Sequence, residues 1–202
     1  MKLTLSSLAC GALLVTGCAA PRITNDVTTF HDEIRPAGET IRVMPADPAN
    51  AGSLEFQTYA TRINEELRKA GYTPVTEPDV VTDLIAEVDY SVATGQSERS
   101  GRRTGASVGV GYGSGRWYNP WSIGVSVPVF GGSHPGTPLY HRSLELNIID
   151  ADDSQQRLFE GRVVSDGTES ALNVVMPHLI TAMFTDFPGE SGTTKVVEIP
   201  TD

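Results

Sequence analysis

Residues Asp83 to Thr94 alternate without a break: Leu84, Ala86, Val88, Tyr90 and Val92 fall on one side, and Glu87, Asp89 and Ser91 on the other. A period of two is the side-chain pitch of a strand, because successive Cβ atoms point to opposite faces. A run of this length commits the chain to a sheet with one apolar and one solvated face, and the apolar face needs a covering layer. Arg142 to Asp150 repeats the pattern with Leu144, Leu146 and Ile148 inward, and Leu158 to Ser165 follows across the turn-like ADDSQQ. Thr40 to Met44 puts Ile41 and Val43 on one face, stopped by Pro45 and Pro48, and Val27 to Phe30 is a candidate first strand.

The covering layer is read at the helical period. Ser53 is placed as an N-cap, and Phe56, Tyr59, Ala60, Ile63, Leu67 and Ala70 recur on one stripe. Gly71 stands where a left-handed residue ends a helix, with Tyr72 placed to pack on Leu67. A second helix is expected over Glu169–Asp186, with Leu172, Val175, Met176, Leu179, Met183 and Phe187 as its stripe. Pro177 should kink that helix or mark its true start. Phe187-Pro188-Gly189 ends it, and residues 190–202 read as a loose tail in which Lys195 to Ile199 is a candidate short strand. The expectation is an α+β two-layer sandwich: a mixed or mostly antiparallel sheet with two main helices on one face, forming a single domain over residues 27–189.

The N-terminal residues stand apart. Lys2 gives a short positive region, and Leu8 to Val15 is apolar but too short to cross about 30 Å of hydrocarbon as a helix. The run ends in Val15-Thr16-Gly17-Cys18, which resembles a bacterial lipobox. The resemblance implies a lipoprotein signal peptide over residues 1–17, acylation of Cys18, and a lipidated tether over residues 18–26. Ala19, where inner-membrane lipoproteins of this kind tend to carry Asp, implies the outer membrane with the domain on its periplasmic side. Cleavage would remove Cys10 and Lys2, leaving no free thiol. The charge would move from −10 to −11, with 14 rather than 15 basic residues against 25 acidic ones. Such an acidic chain excludes a broad nucleic-acid surface, which needs clustered cations.

One segment breaks the acidic pattern. Arg99, Arg102, Arg103 and Arg116 flank a glycine-rich insert, with Trp117, Tyr118 and Trp121 beside them. The insert itself alternates: Ala106, Val108, Val110 and Tyr112, then Trp121, Ile123, Val125, Val127 and Val129, each run against glycine and serine. This predicts a β-hairpin over residues 104–130 with one apolar and one bare face. Either it extends the domain's own sheet, or it pairs with an envelope protein or a second copy through an exposed edge. In the second case Arg102, Arg103, Arg116, Trp117, Tyr118 and Trp121 form the interaction surface.

Catalytic and ligand motifs are weak. GVGYGSG (109–115) fits no phosphate-loop register, and Ser114 lacks the flanking glycines of a nucleophile elbow. His31, His134, His141 and His178 are scattered. His134 and His141 bracket PGTPLY as a weak metal candidate, with no acidic partner evident in the sequence. Asp150, Asp152 and Asp153 read as a solvated turn, and Glu65 and Glu66 as a solvated helix face. No cofactor or metal is expected. The reading is an envelope lipoprotein acting as a non-catalytic binding or assembly module, with an envelope hydrolase of unrecognised active site as the alternative.

A family resemblance runs through the same landmarks. The lipobox precedes Leu67-Arg-Lys-Ala-Gly71-Tyr72, then a strand opening Asp83-Leu84, then Phe159-Glu-Gly161, and finally a helix ending Phe187-Pro188. In that order they resemble the lipoproteins grouped as DUF4136, a domain of unknown function, over about residues 24–190. The aromatic before Glu-Gly, often Trp in the family, is Phe159 here. The resemblance implies a fold and a location and carries over no functional residue.

Overall fold

A computed structural model of the chain describes residues 21–95 and 138–201. Seven strands and two helices follow in the order β1 (Arg22–His31), β2 (Thr40–Pro45), α1 (Leu54–Ala70), β3 (Thr73–Pro74), β4 (Leu84–Gly95), β5 (Leu139–Asp150), β6 (Arg157–Gly167), α2 (Leu172–Phe184) and β7 (Thr193–Pro200). They form one sheet in the order β3-β2-β4-β5-β6-β1-β7. It is mixed: β2 runs parallel to β3 and β4, and every other pairing is antiparallel. This is an α+β fold. The predicted 104–130 hairpin lies outside the described residues.

The expected alternation sets the core. Leu84, Ala86, Val88, Leu144, Leu146, Ile148, Phe159 and Val163 are buried at every second position and join the buried residues of both helices in one cluster. α1 has the predicted ends. Ser53 Oγ accepts from the Phe56 N–H at 3.4 Å, and Gly71 adopts φ 109°. The Tyr72 N–H reaches back to the Leu67 carbonyl at 3.1 Å, satisfying a carbonyl that the helix leaves unpaired. Glu66 departs slightly from expectation: its side chain is 19% exposed, laid against the surface where Lys69 Nζ donates to it at 2.8 Å.

α2 starts later than expected, at Leu172, and runs through Pro177 rather than beginning there. Its buried set, Val175, Met176, Leu179, Ile180, Ala182 and Met183, is broader than the stripe read from the sequence. Here the helix meets β6, and Gly161 is the reason it can come so close. A Cβ at Gly161 would lie 2.6 Å from Met183 Sδ and 2.7 Å from the Phe159 ring. Phe187 then packs on Phe159 and Phe184 at ring separations of 4.8 and 5.2 Å.

Two segments expected to be loose are strands instead. β1 begins at Arg22, so residues 22–26 belong to a strand rather than a tether. The C-terminal segment is the eight-residue β7, paired along β1 from Thr29↔Thr193 to Arg22↔Pro200.

Candidate functional site

The sheet face away from the core carries polar side chains lined up across the strands by register. Asp89 of β4, Glu145 of β5, Arg162 of β6, Thr28 of β1 and Thr194 of β7 stand in one row. Arg162 Nη2 donates to Glu145 Oε1, and the Thr28 and Thr194 hydroxyls meet at 2.8 Å. Partial desolvation among these neighbours, then the Glu145 charge, pushes the Asp89 carboxyl up from its ordinary value. One row on, Ser91 and Ser143 share a hydrogen bond of 2.8 Å. On the other side, Arg157 Nη1 donates to Glu160 Oε1 at 2.5 Å, next to Asn147 and Glu87. Cross-strand pairing of this kind stabilises modestly where it is open to solvent.

At the edge of this ladder His141 Nδ1 bonds Asp166 Oδ1; the two residues face each other across β5 and β6. A carboxylate on one ring nitrogen fixes the imidazole's orientation and leaves the other nitrogen to exchange protons. The pair is partly exposed, at 38% and 31% of the side chains, and stands on an open strand face. A shallow pocket lies elsewhere, between β1, β7 and the end of α2, lined by Val27, Thr29, Met183, Pro188, Gly189 and Lys195. His141 therefore has an acidic partner that the sequence did not reveal. His134 lies outside the described residues, and among those described no three metal-binding side chains converge.

The other sequence candidates separate. Cys18 and the cluster Arg102, Arg103, Arg116, Trp117, Tyr118 and Trp121 lie outside the described residues. His31 sits at the far end of β1, its Nε2 3.3 Å from the Gly189 carbonyl, and His178 is on α2. Asp150 Oδ1 accepts from the N–H groups of Asp152 and Asp153 at 2.8 and 3.1 Å, which makes that acidic run a turn, as expected.

Arg142 is the group the sequence reading passed over. It shares the parity of Leu144 and Leu146, so its side chain points to the core side, where it is 3% exposed. Its Nε donates to the Ser165 carbonyl at 3.3 Å, Nη2 to Ser165 Oγ at 3.1 Å and Nη1 to the Glu169 carbonyl at 3.4 Å. Ser165 Oγ in turn donates to the Thr24 carbonyl at 2.9 Å. Burial lowers the Arg142 pKa from its ordinary value, opposed by Asp166 and Glu169. A Cβ at Gly167 would sit 2.5 Å from Nη2, so the guanidinium occupies the space a side chain there would need. It ties the ends of β5, β6 and β1 to the loop that leads into α2.

Known proteins resemble the chain in sequence or in structure. The uncharacterized protein ZMO1243 of Zymomonas mobilis subsp. mobilis is 27% identical over 86% of this chain and 80% of its own length. Among solved structures, a PDZ domain protein from Parabacteroides distasonis aligns with 90% of this chain at a TM-score of 0.52 and 14% identity. The chain spans 40% of that protein. A PelC dodecamer from Paraburkholderia phytofirmans aligns with 78% of this chain and 93% of its own at a TM-score of 0.35 and 13% identity. The family described as a domain of unknown function, DUF4136, matches residues 28–189, from the middle of β1 to the turn after α2, and the chain belongs to that family.

Proposed function

We propose that the chain is an envelope lipoprotein, held at the periplasmic face of the outer membrane by acyl chains on Cys18 and acting there as a non-catalytic binding or assembly module. The observation that carries this reading is Val15-Thr16-Gly17-Cys18 at the end of a short apolar run. Two or more acyl chains hold a protein on a membrane stably, whereas one is marginal. Among the described residues no helix is long and apolar enough to cross a membrane, so the proposed attachment does not rely on one of those helices. Both helices cover the same sheet face in this reading, in keeping with the single hydrophobic cluster they share with the strands. The opposite, polar face and the 104–130 hairpin are then left to an envelope protein or a second copy. Its ionic groups are paired in the open rather than gathered in a cavity, which favours a binding surface over an active site.

The test of the anchor is Cys18→Ser. Wild type should enter the detergent phase on partitioning and the variant should not. Identical behaviour in the aqueous phase would sink the reading. The His141–Asp166 pair is the one observation that favours a hydrolase instead. That alternative gains ground only if the protein cleaves a chromogenic ester and His141→Ala and Asp166→Asn both abolish the cleavage.

A further inference from the structure

One end of the sheet is where the described chain enters at β1 and where β7 stops. β1 starts there at Arg22, β5 at Leu139, and β4, β6 and β7 stop there at Gly95, Gly167 and Pro200, as their antiparallel registers require. α2 starts just after β6, so its N-terminus is at this end. β2 runs parallel to β4 toward it, so α1, which follows β2, starts on this side as well. Three large apolar side chains on three different elements are exposed here: Leu54 of α1 at 79%, Val174 of α2 at 50% and Val92 of β4 at 41%. At the opposite end, beside the start of β4, Val80 and Val81 are exposed at 45% and 86%. Exposure alone therefore does not tell the two ends apart.

The tether does. From Cys18 to Arg22 the chain takes four residue steps, which reach at most about 14 Å fully extended. The ten residues of β1 span roughly 33 Å. A domain longer than its leash cannot turn over and offer its far end to the surface it is tied to. We infer that the near end rests on the bilayer, with Leu54, Val92 and Val174 entering the boundary between headgroups and acyl chains; this rests on the reading of Cys18 as the acylated residue. Three side chains are too little apolar area to hold a domain on a membrane by themselves. With the acyl chains supplying attachment, their contacts are made at high local concentration and fix the domain's orientation. Among the described residues Asp47, Glu55 and Glu169 flank the same end, so this part of the surface suits a zwitterionic bilayer rather than an anionic one.

Single-cysteine probes read this directly, because the acylated chain would carry no other thiol. Leu54→Cys, Val174→Cys and Val81→Cys, all at exposed positions, are each labelled with a fluorophore in the full-length protein purified from membranes. The labelled proteins are then reconstituted into phosphatidylcholine vesicles containing a nitroxide-bearing lipid. The expected result is loss of emission at positions 54 and 174, with emission at 81 unchanged. Val92→Cys, on a strand, repeats the measurement should a helix variant misfold. Emission at 54 and 174 that the lipid quencher does not reach means that protein or water covers them, and equal quenching at all three positions means that the domain has no fixed orientation. Either result overturns the proposal while leaving the anchor intact. The mass of the N-terminal peptide, taken on the same samples, separates the two ideas: a peptide without acyl chains overturns both.

Discussion

The two helices belong to one core and are specified in opposite ways. α1 is amphipathic and closed at both ends, by the Ser53 hydroxyl at its start and by Gly71 at φ 109° at its finish, with Glu55 in its first turn and Arg68 and Lys69 in its last. Local sequence asks for a helix there before anything packs against it. α2 has no side-chain cap at Ala171, carries no charge in either terminal turn, and holds Pro177 inside. Proline in a helix interior removes a hydrogen bond and costs about 3 kcal/mol. What keeps α2 helical is burial, with Val175, Met176, Leu179 and Ile180 all fully excluded from solvent. One helix shapes the core and the other is shaped by it.

The largest expected effects treat the helices alike. Leu67→Ala in α1 and Leu179→Ala in α2 each empty a fully buried site and should cost about 2–5 kcal/mol in urea denaturation. Glu66→Ala, whose partner is an exposed lysine, should stay within about 0.5 kcal/mol of wild type. A cost as large as that of Leu67→Ala would mean that α1 faces another way.

A smaller pair of effects should split the helices. Ser53→Ala should lose about 1 kcal/mol, and Ala171→Ser should gain a similar or smaller amount by supplying α2 with the cap it lacks. If Ala171→Ser changes nothing, the start of α2 is already satisfied by its surroundings, such as the Glu169 carboxylate that accepts from the Ala171 N–H at 2.7 Å.

The smallest effect at neutral pH concerns Tyr72, where the end of α1 meets Phe187 beyond α2 at a ring separation of 6.4 Å. Burial, and then the charge of Glu39, pushes its hydroxyl up from 10.0 to about 12. The unfolded chain ionises first, so stability should fall as the pH rises above the unfolded value and level off past the folded one. Tyr72→Phe should remove that component of the alkaline loss while leaving the neutral-pH midpoint nearly unchanged. An unaltered alkaline limb would show that Tyr72 is not the group responsible.

The same contrast explains what could be read from the sequence. Ser53 and Gly71 announced α1 because capping is local chemistry. β4, β5 and β6 announced themselves because each buries a run of alternate residues on one face. β7 was legible only as a short candidate over Lys195 to Ile199: as an edge strand its side chains are mostly exposed, Val196 at 67% among them, so burial left little pattern to fix its length. The first residues of β1 are polar for a related reason. Thr24 is exposed, and Asn25, although buried, is held by hydrogen bonds from its Nδ2 to the Ile23 and Val197 carbonyls. Arg142 was legible from its parity with Leu144, which puts a charged residue on the apolar side, but its partners Ser165 and Glu169 come from another strand and the loop after it. The His141–Asp166 pair was not legible at all. Its partners are 25 residues apart and meet only through the β5–β6 register, which shifts at Ile148/Ile149.

β1 lies between β6 and β7, and those two strands are its only partners in the sheet. The first of the described strands therefore finds its neighbours in the last two, with Arg22 opposite Pro200. Until nearly the whole chain has emerged, β1 has both edges bare, so the closing step of folding joins the most distant parts of the sequence and carries a large loop-closure cost. Loss of residues 193–202 would strip β7 and leave β1 as an open edge, long enough to recruit a strand from another chain. The eight-residue β7 thus guards the edge of β1 against pairing with another chain.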